Sequence, residues 1–197
     1  MQHMYGIIGE DDSDVSTLKV FIERLRTEAS KKPTTVSIRS KGYGGCSEML
    51  RKTGKQLHSW EATGVTRVVI CYDSDREKPA IRLEILQGIV VQSGIGIPSC
   101  LLIPVQELEA WLLADHAKLK KIFGTLQKSK SWPKPILAPE KIKDPKERLE
   151  KMSRTRGRRA LYSHAIHNEV MASVVDIALV RAKCPSFGPL DQFVTSE

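Results

Sequence analysis

Several features are missing from this sequence, and each absence narrows the reading. The four cysteines (Cys46, Cys71, Cys100 and Cys184) form no Cys-x-x-Cys pair. Their scatter argues against both a zinc site and a disulfide framework, and it suits a reducing cytoplasm. No apolar run is longer than a strand, so no membrane span is expected. The first residues, Met1-Gln2-His3-Met4, contain no basic segment leading into an apolar core, and no signal peptide is expected. A Walker pattern is absent; the glycines at 42, 44 and 45 are by themselves a weak phosphate signal. Aromatic residues make up only 6% of the chain and do not interleave with the basic clusters, so sequence-specific base stacking is not indicated.

What is present is an ordinary globular composition. The 197 residues are 41% hydrophobic and 27% charged. That is enough for one well-buried core, or for one core with a helical appendage. The net charge of +8 is unevenly spread. Residues 1–115 carry 14 Lys and Arg against 15 Asp and Glu, whereas residues 116–197 carry 17 against 8. A basic half is the electrostatic footprint of a polyanion binder, although a solvated basic surface has the same composition.

Hydrophobic periodicity gives the element order. Met4–Gly9 reads as a short strand, followed by acids and a helix with Leu18, Phe21, Ile22 and Leu25 at helical spacing. Asp12 or Ser13 is the expected cap. Thr34–Arg39 alternates as a second strand, with Val36 and Ile38 on one face. It leads into a flexible loop, Lys41–Gly45, and a helix containing Met49, Leu50, Leu57 and Trp60. Arg67–Tyr72 is the third strand, and a helix follows over about 79–91. Cys100–Ile103 is the fourth strand, and Gln106–Asp115 reads as one short helix. This β-α alternation predicts an α/β fold, a mostly parallel four-stranded sheet flanked by helices. Beyond residue 123 the pattern changes. Lys128–Pro145 reads as an exposed loop, and helices resume over Pro145–Met152 and from about 159 to 183, with a break expected near Asn168. We read 1–123 as the α/β domain and 124–197 as a basic loop and C-terminal helical extension packed on it.

Acids recur where the strands end. The first strand ends in Glu10 with Asp14 four residues on, the third in Asp73-Ser74-Asp75, and the fourth in Glu107 and Glu109. In a parallel sheet these ends share one edge, where ligands bind. Carboxylates gathered there repel one another unless a cation offsets them. Oxygen-only ligands imply Mg²⁺ or Mn²⁺ in preference to zinc. Such an ion beside a basic surface points to phosphoryl-transfer chemistry on a polyanion. The plainer alternative is that each acid only caps a helix or complements its first turn.

Glu10 after the first strand and Asp73-Ser74-Asp75 after the third resemble the Toprim domains of topoisomerases, primases and overcoming-lysogenization-defect nucleases. More closely, the chain resembles a bacterial Toprim-like family, domain of unknown function 4276, often found beside ATPase genes in defence loci. Glu10–Asp14, Ile103–Asp115 and Cys184-Pro185-Ser186-Phe187 carry that likeness. The resemblance implies a Mg²⁺- or Mn²⁺-dependent nuclease with Glu10, Asp73 and Asp75 as catalytic residues. It implies Glu10, Asp14, Asp73 and Asp75 as metal ligands, with Glu107 and Glu109 as further candidates, and an ATPase as possible partner. The family's usual glycine after the first glutamate is Asp11 here.

Nucleic-acid backbone contacts are expected from Lys41, Lys128, Lys130, Lys134, Arg154, Arg156, Arg158 and Arg159, each able to neutralise a phosphate. Trp111 is expected in the core, and the histidines at 58, 116, 164 and 167 share no metal-ligand spacing with the acids. Two other readings compete with the nuclease. A receiver-like phosphoacceptor is weakened because Val105-Gln106-Glu107 stands where a hydroxyl should follow the fourth strand. A non-catalytic nucleic-acid-binding or regulatory subunit on the same scaffold draws support from Asp11.

Overall fold

A computed structural model describes residues 3–31, 35–124, 132–154 and 159–196. Its strands are β1 (Met4–Gly9), β2 (Ser37–Gly42), β3 (Arg67–Cys71) and β4 (Ser99–Leu102). They pair in parallel throughout, in the order β2-β1-β3-β4. Three helices make the crossovers: α1 (Asp12–Ser30), α2 (Cys46–Ala62) and α3 (Pro79–Ser93). Six shorter helices follow: α4 (Glu109–Leu112), α5 (His116–Phe123), α6 (Pro145–Ser153), α7 (His164–Val174), α8 (Ile177–Lys183) and α9 (Gly188–Thr195). Among the described residues no helix is long and apolar enough to cross a membrane.

Successive strand residues point to opposite faces, so each inner strand feeds two cores. Tyr5 and Ile7 of β1, Val69 and Cys71 of β3, and Cys100 and Leu102 of β4 meet α1 and the later helices. Ile8, Val68, Ile70 and Tyr72 face the other way, toward α2 and α3. Gly6 is required by this second layer: a Cβ there would lie 2.4 Å from the Trp60 ring of α2.

The strand order fixes where a crevice opens. The chain steps from β1 outward to β2, then crosses back over β1 to reach β3. With right-handed crossovers, opposite steps place α1 on one face and α2 and α3 on the other. The loops leaving β1 and β3 therefore diverge, and the gap between them is the topological switch point where α/β sheets bind ligands.

The C-terminal helices complete the α1 face. Phe21 of α1, Trp111 of α4 and Phe187 pack edge to face, with ring centroids 5.1–5.8 Å apart. The Trp111 indole N–H donates to Ser186 Oγ at 2.9 Å. Two stretches widely separated in sequence, around Trp111 and around Phe187, thus form one packing unit. Trp111 is fully buried, as expected of a core residue.

Several boundaries differ from expectation, each for a local reason. The second strand begins at Ser37 and runs through Lys41 and Gly42, because β1 continues to Gly9 opposite Gly42; Thr34 lies outside the described residues. The cap of α1 is Asp11 instead of Asp12 or Ser13. Only Glu109–Leu112 of the stretch from Gln106 to Asp115 is one helix, since Gln106 has φ 65 and cannot continue a right-handed turn. The long C-terminal helix breaks at Val175 and Asp176, where Asp176 caps α8 by accepting the Ala178 N–H. Asn168 sits unbroken within α7 because its side chain is satisfied. Within the expected exposed loop, Ile136 and Pro139 are buried.

Candidate functional site

Glu10 emerges from β1 directly at the switch point. The following turn is a reciprocal cap: the Asp14 N–H donates to Asp11 Oδ1 at 2.9 Å, and the Asp11 N–H donates to Asp14 Oδ2 at 3.3 Å. Asp11 has φ −144, extended backbone open to any residue, so aspartate stands here without strain. The position that demands glycine is Gly42, on the neighbouring strand. A Cβ on Gly42 would lie 2.4–2.6 Å from Asp12 and the Asp11 backbone, so only glycine lets β2 end against this turn.

The Glu10 side chain reaches across to β3, where Oε1 accepts the Asp73 backbone N–H at 3.2 Å. Asp73 in turn accepts the Leu108 N–H on Oδ1 at 3.1 Å, fixing the segment that follows β4. The two loops are laced further by Ser74 N–H to the Pro104 carbonyl at 3.0 Å and Asp75 N–H to the Gln106 carbonyl at 2.7 Å. Asp75 has φ 50, a left-handed conformation that aspartate tolerates better than most residues. Its side chain is exposed and lies 3.8 Å from the Arg82 guanidinium.

Glu107 and Glu109 are more heavily committed. Glu107 Oε2 accepts the Lys146 backbone N–H at 2.7 Å and so caps α6 from outside that helix. Glu109 is 2% exposed, and its Oε1 accepts from the Tyr162 hydroxyl at 3.2 Å and the Asn168 amide at 3.1 Å. The Lys146 ammonium stands 3.6 Å from the same oxygen.

These acids raise one another's pKa. Burial first, then the charges of Asp11, Glu109 and Glu10, push Asp14 up to about 8. Burial, then Asp14, Glu109, Glu10 and Asp75, hold Asp73 well above the carboxylate range. Glu10 is raised by burial and Asp75, against the Asp73 N–H and Arg82. Glu107 is raised chiefly by burial. Lys146 shows the complementary effect: burial lowers its pKa, but Glu109, Glu107, Asp11 and Asp14 outweigh it and raise it. Without a cation, the cluster retains protons that dispersed carboxylates would lose.

The donors are hard carboxylate oxygens, the type Mg²⁺ and Mn²⁺ prefer. Among the described residues, no three His, Cys, Asp or Glu side chains stand together as a closed ligand set. Mg²⁺ seldom needs one, because it keeps several waters and uses one or two carboxylates plus substrate oxygens. The donor chemistry suits such an ion, and Glu10 meets Asp73 here through the main-chain N–H.

A cavity of about 460 Å³ opens beside this edge, lined by Asp75, Arg76, Glu77, Arg82, Glu107 and Lys143 among others. Lys41 lies at the end of β2. Lys134, Arg154 and Arg159 are exposed on the surface, whereas Lys128, Lys130, Arg156 and Arg158 lie outside the described residues. The sequence reading overlooked Arg82 and Lys146, the two cations turned toward the acids. Each had a signal: both lie near the start of a helix, where a positive charge opposes the dipole and calls for another reason. His164, one of the histidines without metal-ligand spacing to the acids, has its Nε2 3.9 Å from Asp11.

No curated protein and no solved structure matches the chain. Residues 10–194 match the family described as Domain of unknown function (DUF4276). That span starts at the Glu10 of the switch point and ends in α9, so it takes in both the acidic edge and the helices that cover α1. The chain belongs to the DUF4276 family.

Proposed function

We propose that this protein is a Toprim-like, Mg²⁺- or Mn²⁺-dependent nuclease that hydrolyses phosphodiesters of DNA or RNA. The observation that carries the reading is the Glu10 carboxylate hydrogen-bonded to the Asp73 main chain at the switch point, inside a set of mutually destabilised acids. Glu10 and Asp73 would hold the ion, with Asp75 and Asp14 next in reach. When bound, the ion supplies charge neutralisation of the phosphoryl oxygens and a lower pKa for the attacking water. Glu10, whose pKa burial and Asp75 raise, is the carboxylate that would accept a proton from that water. Arg82 and Lys146 offset negative charge at the rim. Four free thiols accord with a cytoplasmic setting.

Plasmid nicking tests this reading. Nicking is expected in Mg²⁺ or Mn²⁺, none in EDTA, and a loss on the order of a hundredfold in Asp73→Asn, which keeps an acceptor for the Leu108 N–H. Metal-independent cleavage, or full activity in that variant, overturns it.

A second reading is a nucleic-acid-binding or regulatory subunit on the same scaffold, working with an ATPase partner. Its support is the engagement of Asp14, Glu107 and Glu109 in caps and buried hydrogen bonds. Calorimetric titration with Mn²⁺ separates the two, since an inert scaffold has no need of the ion.

A further inference from the structure

A second cavity, of about 480 Å³, lies between the end of β2 and α2. Lys41, Tyr43, Arg51, Lys52, Lys55 and Ser59 line it, and no acid does. The helical contributors recur at positions 51, 52, 55 and 59, one face of α2. Lys52 is paired with Glu48, whose carboxylate also accepts the Gly44 N–H. Lys41, Arg51 and Lys55 are exposed. Lys41 holds its ammonium 5.4 Å from the centroid of the Tyr43 ring, at the mouth of the groove.

The groove is joined to the acidic edge by main chain. Lys41 pairs in register with Ile8 and Gly42 with Gly9, so the next residue along β1 is Glu10. The helix that forms the other wall is tied to the same residue at its N-cap, because the Gly45 N–H donates to the Glu10 carbonyl at 3.0 Å. The Lys41 end of the positive groove is therefore linked by main chain to the negative centre, and its other wall runs along α2 from Arg51 to Ser59. A polyanion that the carboxylates alone would repel needs a flanking cationic track to approach them.

We propose that this groove holds the phosphodiester backbone of the nucleic acid and leads it to Glu10. The assignment rests on the reading of the protein as one that acts on nucleic acid. It places the contact surface in the half of the chain whose net charge is slightly negative, where Lys41, Arg51 and Lys55 are gathered by the fold.

Fluorescence anisotropy in EDTA measures the binding without requiring cleavage. Labelled single-stranded DNA, duplex DNA and single-stranded RNA serve as the three probes, and their ranking distinguishes the substrates. The variant K41Q/R51Q/K55Q is compared with K118Q/K120Q/K121Q, which removes the same charge from exposed positions on α5. Affinity of the groove variant is expected to fall tenfold or more, and its duplex salt slope to drop by about 2–3, with the α5 variant within roughly twofold of wild type. Wild-type protein that binds none of the three probes overturns the proposal. So does a groove variant that binds as wild type does, or an α5 variant that loses as much. Melting curves report the fold of each variant, and Lys41→Gln and Lys55→Gln singly, each expected to lower the slope by about 0.9, repeat the test with smaller perturbation. Nicking by the same proteins separates this inference from the nuclease reading. Wild type that binds through the groove yet never nicks sinks the nuclease alone, and nicking with an unaffected groove variant sinks the groove alone.

Discussion

Glu10 Oε1 accepts the backbone N–H of Asp73 at 3.2 Å, a contact between residues 63 positions apart. It joins the ends of β1 and β3 across the gap created by the reversal in strand order. The carboxylate thereby has a structural task as well as a charge, and the two can be separated by substitution. Glu10→Gln keeps an acceptor for that N–H and should leave stability nearly unchanged while weakening Mn²⁺ binding at least tenfold. Glu10→Ala should weaken binding similarly and also cost about 1 kcal/mol, the scale of one lost hydrogen bond. Calorimetric titration and urea unfolding check the two effects; equal stability of both variants would contradict the contact.

The acidic cluster makes stability depend on pH in an unusual direction. Asp14 has its pKa pushed up to about 8 from 3.8 in the folded chain, and Asp73, Glu10 and Glu107 are raised too. The folded state therefore binds protons more tightly than the unfolded state. This contribution is complete below the unfolded value and is lost as pH rises through the folded one. In EDTA, the melting temperature should fall as pH rises from about 4 to about 8, and millimolar Mg²⁺ should reduce that fall. Lys146 titrates above this window because its pKa is raised from 10.5. A flat EDTA profile, measured by calorimetry, would count against the cluster.

Glu109 is the hinge of a buried network with Tyr162, Asn168 and Lys146. Glu109→Ala strands three polar groups and should destabilise by about 3 kcal/mol. Tyr162→Phe removes the one hydroxyl proton that Glu109 and Asn168 share, and should cost about 1–2 kcal/mol. If Glu109 instead serves chiefly at the metal, the alanine variant will lose Mn²⁺ affinity without this loss of stability in denaturant titrations.

Gly42 tests the geometry of the first acidic turn. Its substitution by alanine places a methyl group within 2.6 Å of the Asp11 and Asp12 backbone, so the turn must move. A cost of about 1–3 kcal/mol is expected, together with weaker Mn²⁺ binding through the displaced Glu10. Unchanged melting and metal affinity would mean that β2 and the turn are less closely apposed.

Much of the fold was written locally. Alternating apolar residues announced the strands, and the β-α repetition announced the parallel sheet, because side-chain period reflects backbone geometry. Asp73 and Asp75 were visible because a β-branched run ended in acids. Boundaries slipped where a partner strand decided the length, as at Lys41 and Gly42, or where a left-handed residue stopped a helix, as at Gln106.

By itself, then, the sequence determined the element order, the sheet class and the acids offered at the strand ends, all properties of short segments. Only tertiary structure decided that Lys146 and Arg82 would face those acids, that Glu109 would anchor Tyr162 and Asn168, and that Lys41, Arg51 and Lys55 would form one groove. Those relations join side chains whose separation in sequence carries no periodic signal. They exist because the reversal of strand order and the return of the C-terminal helices bring distant surfaces into contact.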